Sequence, residues 1–99
     1  MTEMEKDNFE KIVFETKVIK VEKVNDGYIV SITEHDLEKV INETFPYYEL
    51  NWKLMKEFPM KMKYRDIDCV NELEAQFHFL ITIEKYIDYV NYISLGDPV

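Results

Sequence analysis

Glu72-Leu73-Glu74-Ala75-Gln76-Phe77-His78-Phe79-Leu80-Ile81 is the stretch on which the reading of the fold turns. Leu73, Ala75, Phe77, Phe79 and Ile81 fall on every second position, with Glu72, Glu74, Gln76 and His78 between them. A β-strand points successive side chains to opposite faces, so the alternation predicts one apolar and one polar face. At Leu80 the run becomes apolar on both sides, as expected where a strand is covered twice. The expectation is a central strand with the other strands laid beside it.

Working back towards the N-terminus, Met60, Met62 and Tyr64 alternate with Lys61, Lys63 and Arg65 and predict a neighbouring strand. Tyr48, Leu50, Trp52 and Leu54 alternate in the same way; Tyr47, Leu50, Leu54 and Phe58 also fit a helix, but the unbroken alternation favours a strand. Residues 9–24, from Phe9 to Val24, are rich in Val, Ile and Thr and read as a strand with a bulge near Thr16–Val18. Asn25-Asp26-Gly27 predicts a tight hairpin turn, with Tyr28–Thr33 returning as the second strand. A helix follows, with Thr33 as N-cap, Leu37, Val40, Ile41 and Thr44 on its inner stripe, and Phe45-Pro46 ending it. A last helix has the stripe Ile83, Tyr86, Ile87, Val90 and Ile93, Thr82 as its cap and Gly96 as a left-handed C-cap.

The predicted fold class is therefore α+β: an antiparallel sheet of about five strands with two helices packed on one face, in the order β-β-α-β-β-β-α. Residues 1–8 read as a flexible arm, 9–96 as one domain and 97–99 as a tail. The 99 residues suit a single domain, and 46% hydrophobic and 14% aromatic residues supply a core. The acidic N-terminus does not read as a signal peptide, and no apolar run approaches a membrane span of about 18 residues. Cys69 is the lone cysteine and cannot form an internal disulfide, which suits a reducing, cytoplasmic setting.

A net charge of −8 disfavours direct nucleic-acid binding, which needs clustered cations. The exception is the basic segment 51–65, with Lys53, Lys56, Lys61, Lys63 and Arg65, which reads as the wet face of a half-buried sheet. Asp66, Asp68, Glu72 and Glu74 have a hint of metal spacing. The glycine and the late bidentate glutamate of a calcium loop are missing, so they read as a solvated turn. His35 and His78 have no nucleophile placed beside them, and the carboxylates near Cys69 would raise its pKa rather than activate it. No phosphate loop, zinc spacing or nucleophile elbow is present in the sequence. The expectation is a non-enzymatic chain with no metal or cofactor.

Function is expected on the helices. Asp36, Glu38 and Glu43 on the first, with Glu84 and Asp88 on the second, would form an acidic patch for a protein partner with a basic surface. Its sharpest form is an inhibitor or modulator of a nucleic-acid-handling complex, acting as a nucleic-acid mimic. The composition, rich in Ile, Lys, Glu, Asn and Tyr, suits a viral or mobile-element accessory protein acting in an infected cell. Tyr89 and Tyr92 on the outer side of the last helix add an interface, for that partner or for a homodimer. An alternative is a small-molecule or nucleotide site between sheet and helices, lined by Tyr28, Trp52, Tyr64 and Tyr86.

Overall fold

The Glu72–Ile81 stretch is helical. In the computed structural model, which describes residues 1–96 with side chains through 93, it forms the first part of a 25-residue helix. A run with period two contains two ladders of period four, and on a helix these ladders part. Ala75 and Phe79 turn inward, while Leu73, Phe77 and Ile81 turn outward. Asn71 starts the helix, its side chain accepting a hydrogen bond from the Glu74 amide at 2.9 Å. Thr82, expected as a cap, lies inside the helix, and its hydroxyl donates to the His78 carbonyl at 2.9 Å.

The element order is α1 (Glu3–Thr16), β1 (Lys20–Val24), β2 (Gly27–Ser31), α2 (Glu34–Thr44), α3 (Trp52–Met55), β3 (Lys61–Arg65) and α4 (Glu72–Gly96). The fold remains α+β, but among the described residues the sheet has three antiparallel strands in the order β1-β2-β3, not five, and there are four helices, not two. The order is α-β-β-α-α-β-α. The tail at 97–99 lies outside the described residues.

Residues 9–16, expected as strand, belong to α1, and so do residues 3–8 of the expected arm. The physical reason is a capping box. The Thr2 side chain accepts from the Glu5 amide at 3.2 Å, and the Glu5 carboxylate accepts from the Thr2 amide at 3.0 Å. Phe9 and Val13, four residues apart, are its buried face. The parity change near Thr16–Val18 is the helix end, where Lys17 takes the left-handed conformation at φ 53°. The expected strand over 48–54 is replaced by coil and the short α3, because the Asn51 side chain accepts from the amides of Lys53 and Leu54.

The hairpin lies where Asn-Asp-Gly placed it, with Val24 paired to Gly27 across Asn25-Asp26. Gly27 has no positive φ, so the positive φ angles expected of Asp-Gly are not its reason. It is needed because a Cβ there would run into the Tyr64 carbonyl of β3. β3 and α2 also stand as expected. Thr33 caps α2 by accepting from the Asp36 amide at 3.0 Å, and Leu37, Val40, Ile41 and Thr44 are buried.

The sheet register puts Val21, Val30 and Met62 on one face and Glu22, Ile29 and Lys63 on the other. α4 crosses the first of these faces, against β1 and β2, while α1 packs on α2. Phe79, Leu80, Ile83, Ile87 and Val90 of α4 meet Phe9, Val30, Leu37, Ile41 and Met55 in one core. Lys61, Lys63 and Arg65 remain on the exposed sheet face, and Lys63 pairs with Asp26 at 2.7 Å.

Candidate docking surface

A helix that buries one side in a core normally turns a polar side to water. α4 departs from this along its first half. Leu73, Phe77 and Ile81, spaced by four, are 55%, 42% and 42% exposed. Residues at this spacing form one ridge on a helix surface. Val70 and Ile67, just before the helix, are also exposed. Single exposed apolar residues are ordinary, whereas a continuous apolar stripe on a helix marks an interaction site.

α1 forms the wall beside this ridge and runs antiparallel to α4. The Phe14 ring lies 5.1 Å from that of Phe77. Further along, Lys6 reaches Glu84 at 3.9 Å, and the amino group of Met1 reaches Asp88 at 3.3 Å. Between the start of α1 and the middle of α4 lies a recess of about 170 Å³, lined by residues that include Glu3, Lys6, Ile81, Glu84 and Asp88. The charge along this wall is mixed with a small acidic excess: Glu3, Asp7, Glu10 and Asp88 against the Met1 amino group, Lys6 and Lys85.

Glu84 is the unusual member. It is only 4% exposed, and its Oε1 has no hydrogen-bond partner among the described residues. Burial is the main force raising its carboxyl to about 7, the Glu10 carboxylate adds to the rise, Lys6 opposes it and Asp88 adds a little more. Burial thus favours the protonated form of Glu84, with Glu10 of α1 as the opposing carboxylate at the α1–α4 contact.

The other sequence-derived residues are dispersed. Asp36, Glu38 and Glu43 lie on α2, which packs on α1, and Glu84 is buried, so Glu84 adds nothing to an exposed acidic patch. Tyr89 and Tyr92 are 56% and 76% exposed on α4. The four aromatic residues considered for a ligand site have separate tasks. Tyr28 is buried beneath Lys23, whose ammonium sits 4.7 Å from the ring centre. Tyr86 donates to the Leu54 carbonyl at 2.8 Å, Tyr64 lies 3.5 Å from the Thr82 hydroxyl, and Trp52 opens α3. A second recess, about 380 Å³, is lined by Tyr47, Tyr48, Glu49 and Asn91 and includes none of those four.

His78 is exposed and its ring lies 5.7 Å from that of Tyr64, while His35 is exposed at the start of α2. Cys69 is buried, and burial first, then Glu74 and Asp68, push its thiol up. Among the described residues no acidic, histidine or cysteine cluster could hold a metal ion, and no helix is long and apolar enough to cross a membrane. Searches against protein-family models, curated proteins and solved structures found no match for the chain.

The ridge is hidden in the sequence because its residues alternate as the apolar face of a strand would. The signal that could have found it was present. Ala75, Phe79, Leu80, Ile83, Ile87 and Val90 keep helical spacing from Asn71 onward, with neither proline nor glycine to interrupt it before Gly96. Once that ladder is taken as the buried side, Leu73, Phe77 and Ile81 are surplus.

Proposed function

We propose that this chain is a non-enzymatic protein-binding module, and that its α1–α4 face receives a cationic amphipathic helix of a partner protein. The observation that carries this reading is the exposed ridge Leu73–Phe77–Ile81 beside the acidic wall of α1. An amphipathic helix docks by laying apolar anchors at i, i+3, i+4 and i+7 into such a surface. The net charge of −8 repels a second copy of the chain at long range and attracts a basic partner, so charge favours the hetero-complex over the homodimer. A partner drawn from a nucleic-acid-handling complex fits, since such proteins carry the basic segments this face would attract. The single cysteine, buried and free, accords with action inside the cell.

The test uses an eighteen-residue amphipathic peptide of Leu, Lys and Ala with leucines at i, i+3, i+4 and i+7, titrated by calorimetry. The expected result is binding that weakens steeply as salt is raised and is lost in Phe77→Asp with Ile81→Asp. Binding that survives both substitutions would reject the ridge. The same peptide with its lysines replaced by glutamates should not bind.

A further inference from the structure

The chain bends sharply after α2, and the bend shapes the larger of the two recesses. Pro46 takes the second position of a turn closed by the Tyr48 amide, which donates to the Phe45 carbonyl at 3.1 Å. The two tyrosines that follow have different surroundings. Tyr48 is fixed: its ring packs 4.7 Å from that of Phe45, and its hydroxyl donates to Glu5 Oε1 at 3.4 Å. Tyr47 is 95% exposed, an aromatic surface with almost no packing of its own. A single exposed tyrosine is ordinary. This one borders a recess of about 380 Å³, completed by Tyr48, Glu49 and Asn91 of α4, within the roughly 300–1,000 Å³ of small-ligand sites. The surroundings are acidic. Neither residues 45–52 nor residues 86–99 contain a lysine or arginine. Among the described residues no cation lines the recess, and Glu49 makes no ion pair. Burial first, then the carboxylates of Glu5 and Asp88 on α1 and α4, push the Tyr48 hydroxyl up. Asp88 is paired with the Met1 amino group and Glu5 with the Thr2 amide, so Glu49 is the charge left open to a ligand.

We propose that this recess binds one guanidinium, the side chain of an arginine carried by a peptide segment, stacked on the tyrosines with its N–H fork on Glu49. The inference goes beyond the docking reading and does not rest on it, since none of the four lining residues belongs to the ridge. Aromatic faces attract a cation through their quadrupole, and a planar guanidinium stacks on them where a compact, strongly hydrated ammonium does not. The other lining groups are the Glu49 carboxylate and the Asn91 amide, whose oxygens accept hydrogen bonds. They call for a cation rich in donors, and a guanidinium has five in one plane and no acceptor. A quaternary ammonium would satisfy the rings but offer Glu49 no donor. The same charges select the source. Free arginine would bring its own carboxylate towards Glu5, Glu49 and Asp88, whereas an arginine within a peptide brings none.

The probe is Nα-acetyl-arginine methylamide, titrated into the full chain and followed by amide chemical shifts. The expected result is a saturable set of shifts centred on Tyr47, Tyr48, Glu49 and Asn91. The matching lysine compound should bind about tenfold more weakly, because it cannot stack. Tyr47→Ala should weaken binding by about tenfold and Tyr47→Phe should restore it. Glu49→Gln should weaken it by about tenfold as well. Both positions are exposed, so the shifts of the free variants should match the parent away from the turn, which separates a lost site from a lost fold. Equal binding of the lysine compound, binding unchanged in Tyr47→Ala or Glu49→Gln, or shifts spread over all acidic helices would overturn the guanidinium site. Free arginine binding more tightly than the blocked residue would overturn the peptide source. The two readings fail separately. Phe77→Asp with Ile81→Asp should leave binding of the arginine compound unchanged, and Tyr47→Ala should leave binding of the Leu-Lys-Ala peptide unchanged.

Discussion

Replacing Glu84 by glutamine should stabilise the protein at neutral and alkaline pH and do nothing in acid. In the folded chain the Glu84 carboxyl titrates near 7, against an ordinary 4.5. Between these values the folded form keeps a proton that the unfolded form releases. The folded state then binds more protons, so stability falls as pH rises through that window and is level above it. One pKa unit corresponds to about 1.4 kcal/mol, so the full loss has a ceiling of about 3 kcal/mol. The amide of Glu84→Gln imitates the protonated acid and can donate to Glu10, so the variant should escape this loss. The pair it gives up, with Lys6 at 3.9 Å, is loose, and Lys6 is itself half exposed. The assay is urea unfolding of both proteins at pH 4.5, 5.5, 6.5 and 7.5. The curves should coincide at the lowest pH and separate progressively, by up to the ceiling. Glu5 and Asp26, whose carboxyls are lowered by hydrogen bonds to Thr2 and Lys63, lose their contributions as pH falls. They do so equally in both proteins and cancel in the difference. Parallel profiles would refute the raised Glu84 carboxyl at the α1–α4 contact.

Three further outcomes follow from the packing. Phe79→Ala removes a fully buried ring from the part of α4 that the sequence presents as a strand, and should cost about 3–5 kcal/mol in denaturant unfolding. Thr2→Ala breaks the capping box and should cost about 1 kcal/mol, with faster amide exchange confined to the first turn of α1. Lys17→Gly relieves a left-handed residue at the end of α1 and should raise the melting temperature by a few degrees, about 4–8 °C for each 1 kcal/mol gained in a domain of this size.

The sequence was most legible where one local signal had no rival. Asn25-Asp26-Gly27 placed the hairpin, Thr33 placed the start of α2, and the alternation in Met60–Arg65 placed β3 with its lysines outward. The reading failed where a pattern of period two is also a pair of helical ladders, as in Leu73–Ile81, and where β-branched residues fill a helix, as in Ile12 and Val13. Strand propensity is a preference for a half-buried surface, and α1 satisfies the same residues by packing on α2. The Thr2–Glu5 capping box lies within residues 1–8, whose polar, acidic composition reads as an arm. Glu84 illustrates a different limit. Two charges that act on it, Glu10 and Lys6, lie more than seventy residues away in the chain, and no local pattern brings them together.

Amide chemical shifts recorded on the full chain during titration with the Leu-Lys-Ala amphipathic peptide test the central claim most directly. The docking account predicts saturable changes along Lys6, Glu10 and Phe14 of α1 and Leu73, Phe77 and Ile81 of α4, with little change at Asp36, Glu38 and Glu43. Changes centred on α2, or on Tyr89 and Tyr92, would contradict it.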